Sequence, residues 1–104
     1  MDYQLIFYVP EPDADKVKNA LFALGVGRQG DYDQTCWQCP GTGQFRPLAG
    51  ANPTIGENGE LTFVQEYKVE MICSKELIHA AVKTLKEVHP YEEPAFSVYK
   101  LEKF

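Results

Sequence analysis

Long apolar runs are missing from this 104-residue sequence, and so are clusters of positive charge. The first residues, MDYQLIFYVPEP, hold about five to six apolar positions before Pro10, against the roughly 20 that cross a bilayer. Neither a membrane span nor a secretory leader is expected, and the expected location is the cytoplasm. Ten Lys and Arg stand against fifteen Asp and Glu, a net charge of −5. The basic residues are scattered, with no group able to neutralise a run of phosphates, so direct nucleic-acid binding is not expected. Seven Pro and eight Gly are too few for a disordered chain.

Cysteine and histidine are scarce as well, three and two, which restricts metal and redox chemistry. A zinc site needs about four ligands, typically two Cys-x-x-Cys pairs or one pair with spaced histidines. Cys36 and Cys39 supply one pair, within CWQCPGTGQFRP. Residues three apart on a continuous strand point to opposite faces, so these thiols converge only if the chain turns between them. Dithiol oxidoreductases place the first cysteine at a helix N-terminus, and here Pro-Gly-Thr-Gly follows, where no helix can begin. Cys73 falls on the apolar face of its strand. His79 and His89 are ten apart on one helix, about 100° and about 15 Å from each other, and cannot share a metal within one subunit. Burial is the default for such cysteines. Two alternatives stay open: a metal site completed by another subunit, drawing on Cys36 and Cys39 or on His89 and Glu93, and a thiol–disulfide pair of Cys36 and Cys39.

What is present suits a single folded domain over residues 1–104: hydrophobic residues are 44% and charged residues 24%. A chain of this length buries roughly 65% of its unfolded surface, enough for a core without staples. Tyr3 to Val9 is a short β-rich apolar run closed by Pro-Glu-Pro and reads as a buried strand. In DADKVKNALFALGVG, Val17, Ala20, Leu21 and Leu24 repeat at helical spacing, with Asp13 as N-cap and Gly25 at the left-handed C-terminal position. From Arg28 to Gly59 the helical period vanishes among Gly, Pro, Asn and Asp. The expectation there is a hairpin, with strands about Gln34 to Gln38 and Gln44 to Arg46 joined by a Pro-Gly turn whose glycines take positive φ. ELTFVQEYKVEMIC alternates as a long strand, Phe63, Tyr67, Val69, Met71 and Cys73 opposing Glu66, Lys68 and Glu70. Ser74 caps a second helix with a stripe of Ile78, Ala81, Val82 and Leu85 stopped by Pro90, and Ala95 to Leu101 alternates as a last strand.

Two short helices cannot cover both faces of a sheet, so the predicted fold is an α+β sandwich of the ferredoxin-like kind, with an antiparallel sheet and both helices on one face. Tyr8, Phe63 and Tyr99 add aromatic surface beyond what one helix layer needs. The strand from Leu61 to Cys73 also exceeds what two short partners can pair. Both features predict a closed homo-oligomer, a trimer before a dimer.

Two polar motifs remain. GTGQFRP lacks the Lys-Ser/Thr of a phosphate loop and opens no helix. Its Arg46, between Phe45 and Pro47, can grip a carboxylate or form an ordinary surface ion pair. HPYEEP sets His89, Tyr91, Glu92 and Glu93 in a rigid turn, where the acids act as acid and base, hold a cation, or simply form a solvated tip that stops the helix.

Several separate stretches in order, GDYD, GTGQFRPLAGANPTIG and HPYEEPAFSVY, closely resemble the YqfO-type insert domain of the Nif-three-like family, over nearly all of the chain. The resemblance implies a fold similar to the CutA and PII proteins and a habit of trimerising. It implies no metal-ligand role for any residue here, because the family's dinuclear centre is built from flanking segments. The cysteine pair is no motif of the family, and Ser97 stands where the family often has Asp. The resulting expectation is a binding or regulatory module, not an enzyme, with a small-molecule site between subunits at Arg46, His89, Tyr91, Glu92 and Glu93. No cofactor is expected, a divalent metal being the alternative.

Overall fold

A computed structural model describes residues 2–104. Its elements are strand β1 (Asp2–Pro10), a 3-10 turn (Glu11–Asp13), helix α1 (Ala14–Leu24), strands β2 (Trp37–Phe45) and β3 (Thr62–Ser74), helix α2 (Ile78–Val88) and strand β4 (Phe96–Lys100). The sheet is antiparallel throughout, in the order β2-β3-β1-β4. This is the α+β sandwich of the ferredoxin-like kind that the periodicities imply, with the CutA/PII-like fold that the resemblance implies.

The period-two pattern sorts the sheet into faces. Leu5, Phe7 and Val9 of β1 lie opposite Met71, Val69 and Tyr67 of β3, and Leu5 and Phe7 lie opposite Val98 and Phe96 of β4. Against this face pack Ala14, Val17 and Leu21 of α1 and Ile78, Ala81 and Leu85 of α2, so both helices share one side and close one core. The other face carries Ile6, Tyr8, Trp37, Lys68 and Tyr99, with Trp37 66% and Tyr99 57% exposed. Phe63 does not belong to it. It lies opposite Gln44 on the helix side, 60% exposed at an end of the sheet that the helices leave uncovered.

The expected hairpin at Pro40-Gly41 is not there. β2 runs straight through it, pairing residue by residue from Trp37↔Glu70 to Phe45↔Thr62. β2 is an edge strand, where one row of N–H groups has no ladder partner and proline is tolerated. Gly41 and Gly43 keep ordinary extended φ, and positive φ falls instead on Gly25, Gly27, Gly30, Gly56 and Gly59. A nine-residue partner also removes most of the surplus expected of β3. β1 ends opposite Glu66, so the β2–β3 ribbon projects past it, in a molecule measuring 46 × 24 × 23 Å.

Asp13 takes the N-cap position of α1 as expected but makes no side-chain capping bond, the 3-10 turn that it ends already leading the chain into α1. The expected cap at Ser74 is corrected. Ser74 ends β3, its carbonyl accepts the Leu77 N–H at 3.1 Å, and α2 starts only at Ile78. Gly25 ends α1 as expected, at φ 100°, with its N–H on the Leu21 and Phe22 carbonyls.

Candidate functional site

Where the β2–β3 ribbon passes the end of β1, the open face of the sheet becomes the floor of a pocket of about 650 Å³. Tyr8, Gly41, Glu66 and Lys68 share this face by register, Pro10 and Gly41 both lying opposite Glu66. The walls come from loop 46–61, through Pro47, Pro53 and Ile55, and from the turn after α2, through Tyr91, Glu92 and Glu93. The two walls are tied together: the Asn52 N–H donates to Glu92 Oε1 at 3.0 Å, and the Thr54 hydroxyl donates to the Pro90 carbonyl at 2.7 Å. Within the loop, the Gly59 N–H donates to the Pro47 carbonyl at 2.7 Å.

The turn is held from beneath by His89, 6% exposed and the one buried polar side chain among the described residues. Nδ1 accepts the Tyr91 N–H at 3.1 Å, so the proton sits on Nε2, which donates to the Tyr8 carbonyl at 2.6 Å. Burial holds the imidazole below its ordinary pKa, against the upward pull of the Tyr8 carbonyl, Glu66 and Asp13. The Tyr91 ring packs tilted against both neighbours, its centroid 4.9 Å from that of His89 and 6.4 Å from that of Phe45, and its hydroxyl donates to Glu66 Oε2 at 3.1 Å. Burial and the Glu66 charge push the Tyr91 phenol well above its usual range.

Gly43 makes room for this carboxylate. A Cβ built there would overlap Glu66 Oε1, whereas one at Gly41 meets nothing within 4 Å. The open extended backbone of β2 therefore lets the Glu66 side chain lie along the strand and face the cavity.

Of the residues singled out from sequence, Tyr91, Glu92 and Glu93 line the pocket. His89 lies behind it with both ring nitrogens bonded to backbone. Arg46 is exposed just past β2, outside the lining. The cysteines are all free. The default of burial holds for Cys73 alone, whose thiol is pushed up to about 11 by burial and then by Asp2. Cys36 is exposed ahead of β2, and Cys39 is half-buried in the pocket floor opposite Lys68. Among the described residues no three His, Cys, Asp or Glu side chains come together as a metal site, and no helix is long and apolar enough to cross a membrane. The sequence reading missed Tyr8, Gly43, Glu66 and Lys68, which were legible only once β2 was known to be continuous.

No protein-family model matches the chain. Among curated proteins it is 44% identical over 100 residues to a GTP cyclohydrolase 1 type 2 homolog of Listeria monocytogenes, covering 95% of this chain and 27% of that protein. Among solved structures it superposes on a Bacillus cereus protein related to NIF3 with a TM-score of 0.84 and 32% identity, covering 98% of this chain and 26% of that one. The periplasmic divalent cation tolerance protein CutA of Archaeoglobus fulgidus shares the fold at a TM-score of 0.72 and 13% identity, over all of this chain and 87% of its own. The chain thus spans about a quarter of the length of its NIF3-type relatives and nearly all of a CutA-like one. In sequence and in fold it is similar to one segment of these NIF3-related proteins, and it shares the fold of CutA.

Proposed function

We propose that the chain is a cytoplasmic, oligomeric binding or regulatory module whose small-molecule site is the pocket over the β2–β3 ribbon. One observation carries the reading: the two polar motifs of the sequence, far apart along the chain, converge on a single cavity of about 650 Å³. That volume lies within the roughly 300–1,000 Å³ typical of small-molecule sites. The walls are bonded to each other and the turn is anchored on β1, so the site is largely preformed. Binding, rather than the chemistry of a dinuclear metal centre, is the role these residues support. A divalent cation drawing on Cys36, Cys39, His89 or Glu93 would need ligands from more than one subunit, and His89 already spends both nitrogens on backbone.

A fragment screen read by amide chemical shifts tests the site. Hits are expected to move Gly41, Gly43 and Tyr91 together, and Gly43→Val, which crowds Glu66 and fills the floor, is expected to remove them while the circular dichroism stays native. Hits that leave these amides still, or that survive Gly43→Val, would place the ligand elsewhere.

Assembly rests on the exposed Tyr8, Trp37 and Tyr99 of the uncovered sheet face and on the two unpaired sheet edges, β2 and β4. Light scattering at micromolar protomer is expected to report about three times the 11.8 kDa of one chain. A mass of one chain would remove the oligomer from the reading.

A further inference from the structure

Resting on the ligand-binding reading, we propose that the pocket takes a compact organic cation: an amine with a short apolar body, its ammonium at Glu66, with Glu92 and Glu93 of the wall adding negative charge, and its body against Tyr8, Phe45 and Tyr91. The ionisable carboxylates and amines of the lining are three Glu and one Lys, Lys68, so the cavity is negative by two charges (1 − 3 = −2). No arginine lines it. His89 behind Tyr91 adds no compensating charge at neutral pH, being held below its ordinary pKa with both nitrogens bonded.

The donors present do not suit an anion. Phosphate and carboxylate sites are built from arginine forks, helix N-termini or turns of convergent N–H groups. Here the floor is an extended strand, neither helix begins at the cavity, and Lys68 is the one cationic donor.

The acceptors, in contrast, are placed and only partly used. Glu66 gives Oε2 to the Tyr91 hydroxyl, and Glu92 gives Oε1 to the Asn52 N–H. An ionised carboxylate accepts about four hydrogen bonds, so each keeps capacity for an ammonium while its neighbour holds it in position. Lys68 lies two residues along the same strand from Glu66, roughly 7 Å away along the backbone, so the cationic end of a ligand fits at the Glu66 end of the pocket.

The rest of the lining suits the remainder of such a molecule. Phe45 and Tyr91 form a tilted pair above the floor, Tyr8 lies across the strands, and Pro47, Pro53 and Ile55 close the side. Aromatic rings near an ammonium attract it through their electron-rich faces. Gly43 has a role here as well, since any larger residue displaces the Glu66 carboxylate from its place between Tyr91 and the cavity.

Three probes of one shape and different charge test the proposal: benzylammonium, benzyl alcohol and benzoate, titrated against the full chain by calorimetry and amide chemical shifts. Benzylammonium is expected to bind at the Gly41, Gly43 and Tyr91 amides, at least about tenfold more tightly than benzyl alcohol, and to weaken in 0.5 M salt as charges are screened. Glu66→Gln keeps an acceptor for Tyr91 and removes the charge, and with Glu93→Gln it is expected to cut benzylammonium affinity about tenfold while the melting temperature stays near wild type. Benzoate or benzyl alcohol binding as tightly at the same amides would overturn the cation assignment and leave the pocket as a ligand site. Benzylammonium affinity unchanged in the combined Glu66→Gln and Glu93→Gln variant would overturn it likewise. Failure of all three probes to move those amides would overturn the cation assignment, and the fragment screen then decides separately whether the pocket binds at all.

Discussion

Replacing Phe7 with alanine is expected to cost about 3–5 kcal/mol of folding stability, the range for emptying a buried aromatic site. Phe7 is fully buried on the central strand β1, opposite Val69 of β3 and Phe96 of β4, in the cluster that receives both helices. Each neighbour is anchored in a ladder or a helix, so the space closes poorly and the lost contacts are not replaced. A domain of this size has roughly 5–15 kcal/mol in total, so the substitution removes a large share of it. Urea unfolding at fixed protomer concentration checks this, because assembly makes apparent stability depend on concentration. Phe7→Leu, which fills most of the volume, is expected to retain the native dichroism and to lose about 1 kcal/mol. A Phe7→Ala midpoint within error of wild type would show that the core is not centred on β1. The strand also carries Tyr8 on the opposite face as part of the pocket floor, so core and site are two faces of one element.

How much of this was readable from sequence depends on which neighbour decides each residue. β1, α1, β3, α2 and β4 follow from local periodicity, since Val17, Leu21, Ile78 and Leu85 face one core and Val69, Met71 and Cys73 alternate into it. β2 was misread because Pro40-Gly41 and Gly43 carry the local signature of a turn. What overrides that signature is non-local: an edge position that excuses the proline, and the Glu66 side chain across the ladder that needs the space over Gly43. Ser74 illustrates the same limit at a helix start, where pairing with Asp2 keeps it in β3 and delays α2 by a turn. For the site, the HPYEEP turn was legible because polar residues between two prolines have no core to serve. Glu66 and Lys68 were not, because on an alternating strand they look like an ordinary solvated face. His89, singled out for the site, supports the turn from beneath as a strut, a role that depends on the Tyr8 carbonyl 81 residues away.

That strut has the second largest expected effect. His89→Ala leaves the Tyr8 carbonyl and the Tyr91 N–H without their partners in a buried setting, at about 1–3 kcal/mol each when no water replaces the ring. A net loss of about 3 kcal/mol corresponds to a fall of roughly 12–24 °C in melting temperature for a domain of this size. The loss should also depend on pH, with a definite sign. The folded imidazole titrates below its ordinary value because burial disfavours its charge, so between the two values the unfolded chain binds a proton that the folded chain does not. The stability owed to His89 is therefore fully present above about pH 6.5, the unfolded value, and is lost as pH falls through the lower folded value. Glu66 and Asp13, the carboxylates that act on the ring, hold the folded value up and narrow this window. Urea midpoints for wild type and His89→Ala between pH 5 and 8 give the contribution by difference, which cancels the other titrating groups common to both. The gap between the two proteins is expected to be widest at pH 7–8 and to shrink toward pH 5. A gap that grows in acid would mean that the ring is charged in the fold and that Nδ1 does not accept the Tyr91 N–H, and a constant gap would mean that burial does not lower the imidazole's pKa. The same bond sets the Tyr91 ring between Phe45 and Glu66, so His89→Ala is also expected to weaken any ligand that reports on the Tyr91 amide, linking the buried strut to the pocket.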